Sequence, residues 1–472
     1  MKDFNFKDYL SSFTWRYGSE EMRHVFSEEH KYTIWRKIWV ALARAQHAAG
    51  LVSSSELADL EKNQKNISIE EILDNEKETK HDVVAAIKEY SNKADIGGGK
   101  IHLGATSMDI VDNTDAIRMK EGLAIIEKKV AQLLAAFRFQ IEKYADLPCI
   151  GYTHLQPAEP TTVGYRLSFY AQDLLTDYQL LQYILSTIKG KGMKGAVGTS
   201  AGYTAILEGT KFSAMDLEKQ VMEALGIEPS LVSTQVYSRK YDYLALTVLN
   251  SISSTFAKFA ADLRLLQSPG IGEWSEPFGK KQVGSSAMPF KRNPINSEKI
   301  CSLARYVASL PQVALDNATH SYLERTLDDS ANKRIIIPEA FLATDEILTV
   351  AEKLISGLVI NEKKVAYNLA QYAPFAATEG ILMEAVKHGA DRQKMHEVLR
   401  NISMEAWQDM QDGKVNCMES LLLNNAEIKK FVKKEKMRKL LDVRHHIGNA
   451  PERARLLVKE ITSITEVKIS NI

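Results

Sequence analysis

The chain has 472 residues, 45% hydrophobic and 25% charged, which suits a globular protein of about three domains at ~150 residues each. Lys+Arg and Asp+Glu both number 60, and this zero net charge excludes the basic excess on which nucleic-acid binding rests, while leaving room for a small anion held by a few arginines. The start MKDFNFKDYLSSF lacks the basic and apolar regions of a signal peptide, no uninterrupted apolar run approaches the ~18 residues of a membrane span, and Cys149, Cys301 and Cys417 form no CxxC pair, so a cytoplasmic, reduced chain with no membrane partner is expected.

Proline is absent between Met1 and Leu147 and again between Thr161 and Glu228, which permits long helices. The first Gly/Ser-bearing loop is expected over 96–115, IGGGKIHLGATSMDIVDNTD. Beyond it Ile126, Val130, Leu133, Leu134, Phe137 and Ile141 form a helical stripe within 113–147. A second loop, GYTHLQPAEPTT, is expected over 151–162, followed by the stripe Leu167, Ala171, Leu174, Tyr178, Leu181 and Leu185. The third stripe, Ala245, Leu249, Ile252, Phe256, Phe259, Leu263 and Leu266, alternates by four and three, the pattern of helices packed nearly parallel in a bundle. A third loop, GKKQVGSSAMPFKRNP, spans 279–294, and no convincing run of strands lies between the helices. The reading is an all-α chain of three parts: an N-terminal helical domain 1–111, a central long-helix bundle 112–362 and a C-terminal helical domain 363–472.

Gly190, Gly192 and Gly195 fit GxGxxG, but a helical stripe rather than a strand precedes them, so the segment reads as a helix–helix connection and not as a dinucleotide fingerprint. No HExxH occurs, and the adjacent His445 and His446 point apart on any helix, so no metal site is expected. The third loop is more specific. Gly284 and two serines make a mobile turn, Lys291 and Asn293 offer a cation and an amide donor, and the chain re-enters a helix after Pro294, where a helix N-terminus beside a lysine could receive a carboxylate.

GSSAMPFKRNP resembles the signature loop of the fumarase/aspartase superfamily, TSMDIVDNTD its first shared region and GYTHLQPAEPTT its second, in the superfamily's order. Within it the chain is similar to the adenylosuccinate lyase family, through WRYGS (15–19), KHDVVA (80–85), HLGATS (102–107), TQVYSRK (234–240) and ERTLDDSANKR (324–334). The resemblance runs from about Arg16 to Glu452. It implies β-elimination of fumarate from adenylosuccinate, leaving AMP, and from succinylaminoimidazole carboxamide ribotide, without metal or organic cofactor. It also implies a homotetramer whose active sites are shared between subunits.

Such chemistry needs a base for a weakly acidic proton beside a carboxylate, fixed positive charge for the carbanion, and an acid that titrates near neutrality for the leaving nitrogen. By resemblance His154 matches the general acid, Ser285 the general base and His81 a second active-site histidine, with Lys291 and Asn293 on the carboxylate. Ser330 and Arg334, spaced i,i+4 behind the capping types Asp328 and Asp329, can share one helix face toward a phosphate. With Arg16, Tyr17 and Arg325 they match positions that contact the nucleotide, while Thr106, Ser107 and Gln235 match the succinyl side. Asp82 stands beside His81; Lys80 before it replaces an arginine of many relatives, keeping charge but losing the bidentate fork, and Lys299 stands where some relatives carry a binding arginine. Two rivals are a sister lyase acting on argininosuccinate or aspartate, which needs no phosphate face at Ser330 and Arg334, and a catalytically silent scaffold, which has no reason to keep His81, His154, Ser285 and Lys291 together.

Overall fold

The computed structural model describes residues 7–279, 284, 287–288 and 290–469, with side chains through Thr465. The short N-terminal helices start where serines stop the preceding coil. Ser19, Ser27, Ser53 and Ser68 each accept a backbone N–H at the head of Glu20–Val25, Glu28–Ala48, Ser54–Asn63 and Ile69–Thr79, and Ser53 closes a capping box with Glu56. Glu28–Ala48, Ser54–Asn63, Ile69–Thr79 and Asp82–Lys93 bury a common core that includes Tyr32, Trp35, Trp39, Leu60, Ile72, Val83 and Tyr90, closed by Ile110.

Five long helices follow: Ser107–Lys143, Val163–Thr187, Lys240–Gln267, Ile295–His320 and Ser330–Ser356. The expected stripes are their buried faces. Ala245, Leu249, Ile252, Phe256, Phe259 and Leu263 are all fully buried, and so are Ile126, Val130, Leu134, Phe137 and Ile141. In the second stripe Leu185, near the end of helix Val163–Thr187, is only half-buried, while its neighbour Ile184 is buried. Lys240–Gln267 is also long and apolar enough by composition to cross a membrane, but its apolar side is this packed core.

The chain divides into two compact units. One comprises Met1–Lys129, Asp177–Ser254 and Ser302–Thr349, the other Val130–Thr176, Thr255–Cys301 and Val350–Ile472. In the first, Phe26 meets Phe341 at 5.0 Å and Gly122 lets that ring approach, since a Cβ there would lie 2.8 Å from it. In the second, Phe137, Phe259 and Tyr170 stack edge-on at 5.7 and 5.4 Å, and a separate apolar cluster that includes Ala377, Ile381, Leu399, Leu422 and Met437 gathers the C-terminal helices.

Two expectations fail here. Residues 107–115 are helix, not loop, because Asp109 caps the turn by accepting the Thr106 N–H at 3.0 Å. The segment 151–162 belongs to a β-hairpin, Pro148–Thr153 paired antiparallel with Gln156–Thr162. Pro157 and Pro160 have no N–H to give a ladder, but a two-stranded ribbon has only edges, where such a residue is tolerated. The borders 111/112 and 362/363 fall within helices Ser107–Lys143 and Glu362–Lys387.

Candidate active site

A cavity of about 620 Å³ in the first unit collects Lys80, His81, Asp82, Thr106, Ser107, Gln235, Arg325, Ser330 and Arg334, residues drawn from four separate stretches of sequence. Its histidine is delivered by a backbone reversal. Lys80 ends helix Ile69–Thr79 in the left-handed conformation (φ 53°), and His81 is extended at the N-cap of Asp82–Lys93. His81 Nε2 lies 3.4 Å from the Ser107 hydroxyl, and its Nδ1 lies 3.5 Å from Asp82 Oδ1. The other Asp82 oxygen accepts from Arg334 at 2.9 Å. Asp82 and its neighbours hold the exposed Arg334 guanidinium above its ordinary range against the opposing effect of burial.

Sequence reasoning missed the wall behind these groups. Arg239 donates to Asp329 Oδ2 at 2.6 Å and to Asp112 Oδ1 at 3.0 Å, and Lys333 reaches Asp115 at 3.0 Å. Tyr237 donates its N–H to Asp112 and its hydroxyl to Asp242. Burial and Arg239 push the Lys333 ammonium down, but Asp115, Asp242 and Asp112 hold it above its usual range. Burial likewise pushes Asp115 up and is outweighed by Lys333 and Arg118, so its carboxyl stays low; at Asp242 burial wins and the carboxyl is raised. Asp329, expected as a helix cap, spends its side chain on Arg239 instead. The sequence carried a signal in Asp109, Asp112 and Asp115, three apart on one helix face, and in Asp329 and Lys333 at i,i+4.

Lys31, Lys80, Arg118, Arg239, Arg325, Lys333 and Arg334 around the cavity outnumber Glu28, Glu76, Asp82, Asp115 and Asp329, so the space favours an anion. The GxGxxG segment also holds an anion, but one of the chain's own. Buried Asp109 pairs with Lys191 and accepts the Gly195 and Lys194 N–H groups at 3.2 Å and the Tyr203 hydroxyl at 3.0 Å. His102 accepts the Trp39 indole N–H at 3.1 Å, and burial depresses its imidazole to about 4.

The remaining predicted residues lie elsewhere. Arg16 and Tyr17 do not line the cavity: the Arg16 guanidinium sits over the Trp15 and Tyr17 rings, and Arg23 grips the Tyr17 carbonyl at 3.1 Å. His154, Lys291 and Asn293 belong to the second unit, and Ser285 lies outside the described residues. His154 is exposed at the tip of the hairpin, where it and Leu155 form a two-residue turn with φ of 54° and 60°, a strained conformation for both side chains. Lys291 is exposed, and Asn293 donates to the Gly284 carbonyl at 3.0 Å, closing the neck of the signature loop. A Cβ at Gly284 would lie 2.2 Å from the Lys291 carbonyl oxygen, so that neck requires glycine. The helix N-terminus after Pro294 is not open to a substrate carboxylate as expected, because buried Glu276 already accepts the Ser297 N–H at 2.6 Å and hydroxyl at 2.7 Å.

A mainly helical scaffold, a cationic cavity lined by His81 and a glycine-necked loop like the superfamily signature accord with a lyase, and the comparisons agree. A model described as "Lyase" matches residues 16–308, and one described as "Adenylosuccinate lyase C-terminus" matches 374–455. The adenylosuccinate lyase of Schizosaccharomyces pombe is 37% identical, covering 98% of this chain and 96% of that protein; that of Schistosoma mansoni is 38% identical over 89% and 88%. A solved fumarate lyase from Mesorhizobium sp. BNC1 shares the fold with a TM-score of 0.82 at 23% identity, covering 96% of this chain and 99% of that one. The chain belongs to the adenylosuccinate lyases of the fumarase/aspartase superfamily.

Proposed function

We infer that the chain removes fumarate from adenylosuccinate to leave AMP, and from succinylaminoimidazole carboxamide ribotide (SAICAR) to leave the free carboxamide (AICAR), in purine nucleotide biosynthesis. The observation that carries this reading is the cavity of the first unit. It joins cationic groups (Arg325, Arg334) suited to a phosphate with His81 and Ser107 on other lining segments, in a chain of this family. Ser285 removes the proton from the succinyl methylene carbon, and the charge passes into the adjoining carboxylate, held by Lys291 and Asn293. The carbon–nitrogen bond then breaks, its electron pair stays on the nitrogen, and His154 supplies that nitrogen with a proton. Arg325, Ser330 and Arg334 hold the nucleotide from within the cavity lining and Arg16 and Tyr17 from outside it; Lys80, Asp82, Thr106, Ser107 and Gln235 hold the succinyl side. Asp82 already engages both His81 and Arg334, which supports its place among them.

The reading includes a homotetramer in which one site takes His81, His154 and Ser285 from three subunits. The exposed, strained tip bearing His154 suits a group presented outward to another copy. It also includes the three-part division at 111/112 and 362/363, supported by the buried clusters running from Tyr32 to Ile110 and from Ala377 to Met437. A cytoplasmic location accords with free Cys149, Cys301 and Cys417. The test is direct: with chelator present and no added metal, the purified protein converts adenylosuccinate, seen as an ultraviolet change matched by fumarate release. Turnover of argininosuccinate or aspartate with adenylosuccinate untouched would overturn it.

A further inference from the structure

The hairpin that carries His154 is not held by its own ladder alone. Ile150 pairs with Pro160, which has no N–H to give, and the register shifts between Ile150 and Tyr152. The Ile150 carbonyl instead accepts from Arg166 Nη2 at 2.5 Å, while the guanidinium lies 6.0 Å from the centre of the Tyr152 ring and 5.9 Å from that of Trp274. Arg166 in turn donates to Glu273 at 3.2 Å. Glu273 is fully buried and fixed from both sides. Its carboxylate accepts from Asn368 at 3.0 Å, its carbonyl accepts the Asn361 N–H at 2.8 Å, and its own N–H donates to the Leu266 carbonyl at 3.0 Å. A half-buried cation therefore clamps the strand four residues before the two-residue turn, at the irregularity where a ribbon's twist and direction are set.

We propose that Arg166, anchored by Glu273, is a positioning residue for His154: it sets the direction in which the hairpin presents the imidazole. The inference rests on His154 being the general acid. Without the guanidinium the ribbon keeps its turn and its apolar packing on Leu369, Ala373 and Tyr372, but loses the polar contact at the irregularity, and the tip shifts. A misplacement of about 1 Å costs on the order of a hundredfold in rate.

Steady-state kinetics with adenylosuccinate on the full-length protein test this, with thermal midpoint and light scattering run on every variant. Arg166→Met and Glu273→Gln should each lower kcat roughly 10- to 100-fold with KM within about twofold of wild type. Arg166→Lys keeps the charge but loses the fork and should fall between wild type and Arg166→Met, so it serves if the Met variant does not fold. His154→Ala is the reference. Combined with it, Arg166→Met or Arg166→Lys should lower kcat no further, whereas a merely structural role would lower kcat again in the double variant. Folded Arg166 and Glu273 variants with wild-type kcat, or losses that multiply with that of His154→Ala, would overturn the positioning role. A wild-type kcat in His154→Ala itself would instead overturn the general-acid reading.

Discussion

Asp109→Asn probes the hub that joins the GxGxxG segment to the active-site turn. The carboxylate is fully buried and neutralises Lys191, whose side chain is also fully buried and whose other hydrogen-bond partner is the Gly195 carbonyl at 3.1 Å. Asparagine keeps the shape, removes the charge, and turns one acceptor into a donor among the Lys194, Gly195 and Tyr203 donors. Breaking a buried pair by removing one partner costs about 3–5 kcal/mol, because the remaining charge is left uncompensated. Against a total stability of about 5–15 kcal/mol that loss is large. Asp109 also accepts the Thr106 N–H, so KM should rise together with the fall in stability. Urea denaturation followed by fluorescence and circular dichroism measures the first effect, and adenylosuccinate kinetics the second. Asp109→Asn/Lys191→Met, with both charges gone, should recover most of the stability. A single variant within about 1 kcal/mol of wild type would refute the reasoning.

Three further outcomes are expected. His154→Ala should lower kcat by roughly 10²–10⁴-fold, while Arg334→Ala should chiefly raise KM; a near-normal kcat in the former means the acid has been misassigned. Mixing nearly inactive His81→Ala and Ser285→Ala proteins after mild dissociation and reassembly should restore activity, and verified hybrids that stay dead, or a monomer by light scattering, would count against shared sites. His102, depressed to about 4 by burial, binds its proton in the unfolded chain first, so stability should fall by up to about 3 kcal/mol as pH drops from about 6.5 to about 4. His102→Asn, which suits the positive φ of 66° there and can still accept from Trp39, should flatten that part of the pH profile in urea titrations; an unchanged slope would assign the loss to other groups.

The helical scaffold was legible because burial writes itself into a repeat: every member of the Ala245–Leu266 stripe is inside, and in the second stripe Leu185 alone is only half-buried. The motifs KHDVVA, HLGATS, TQVYSRK and ERTLDDSANKR hold part of the cavity lining, including His81, Ser107, Gln235 and Arg334, while Phe26, Lys31, Trp35 and Arg118 come from segments that carry no motif. Pairing was not legible. Nothing in GYTHLQPAEPTT, with two prolines, marks a ribbon, since its strands are defined by partners across the turn, by Arg166 in the helix that follows and by Glu273 far along the chain. Whether a carboxylate is a cap, a counter-ion or a ligand depends on which cation the fold brings within reach. Tertiary packing alone gave Asp109 to Lys191, Asp329 to Arg239 and Glu276 to the helix end that a substrate carboxylate had been expected to fill. Local sequence sets the periodic burial of each segment, but charges separated by a hundred residues are matched only when the folded chain removes water from between them.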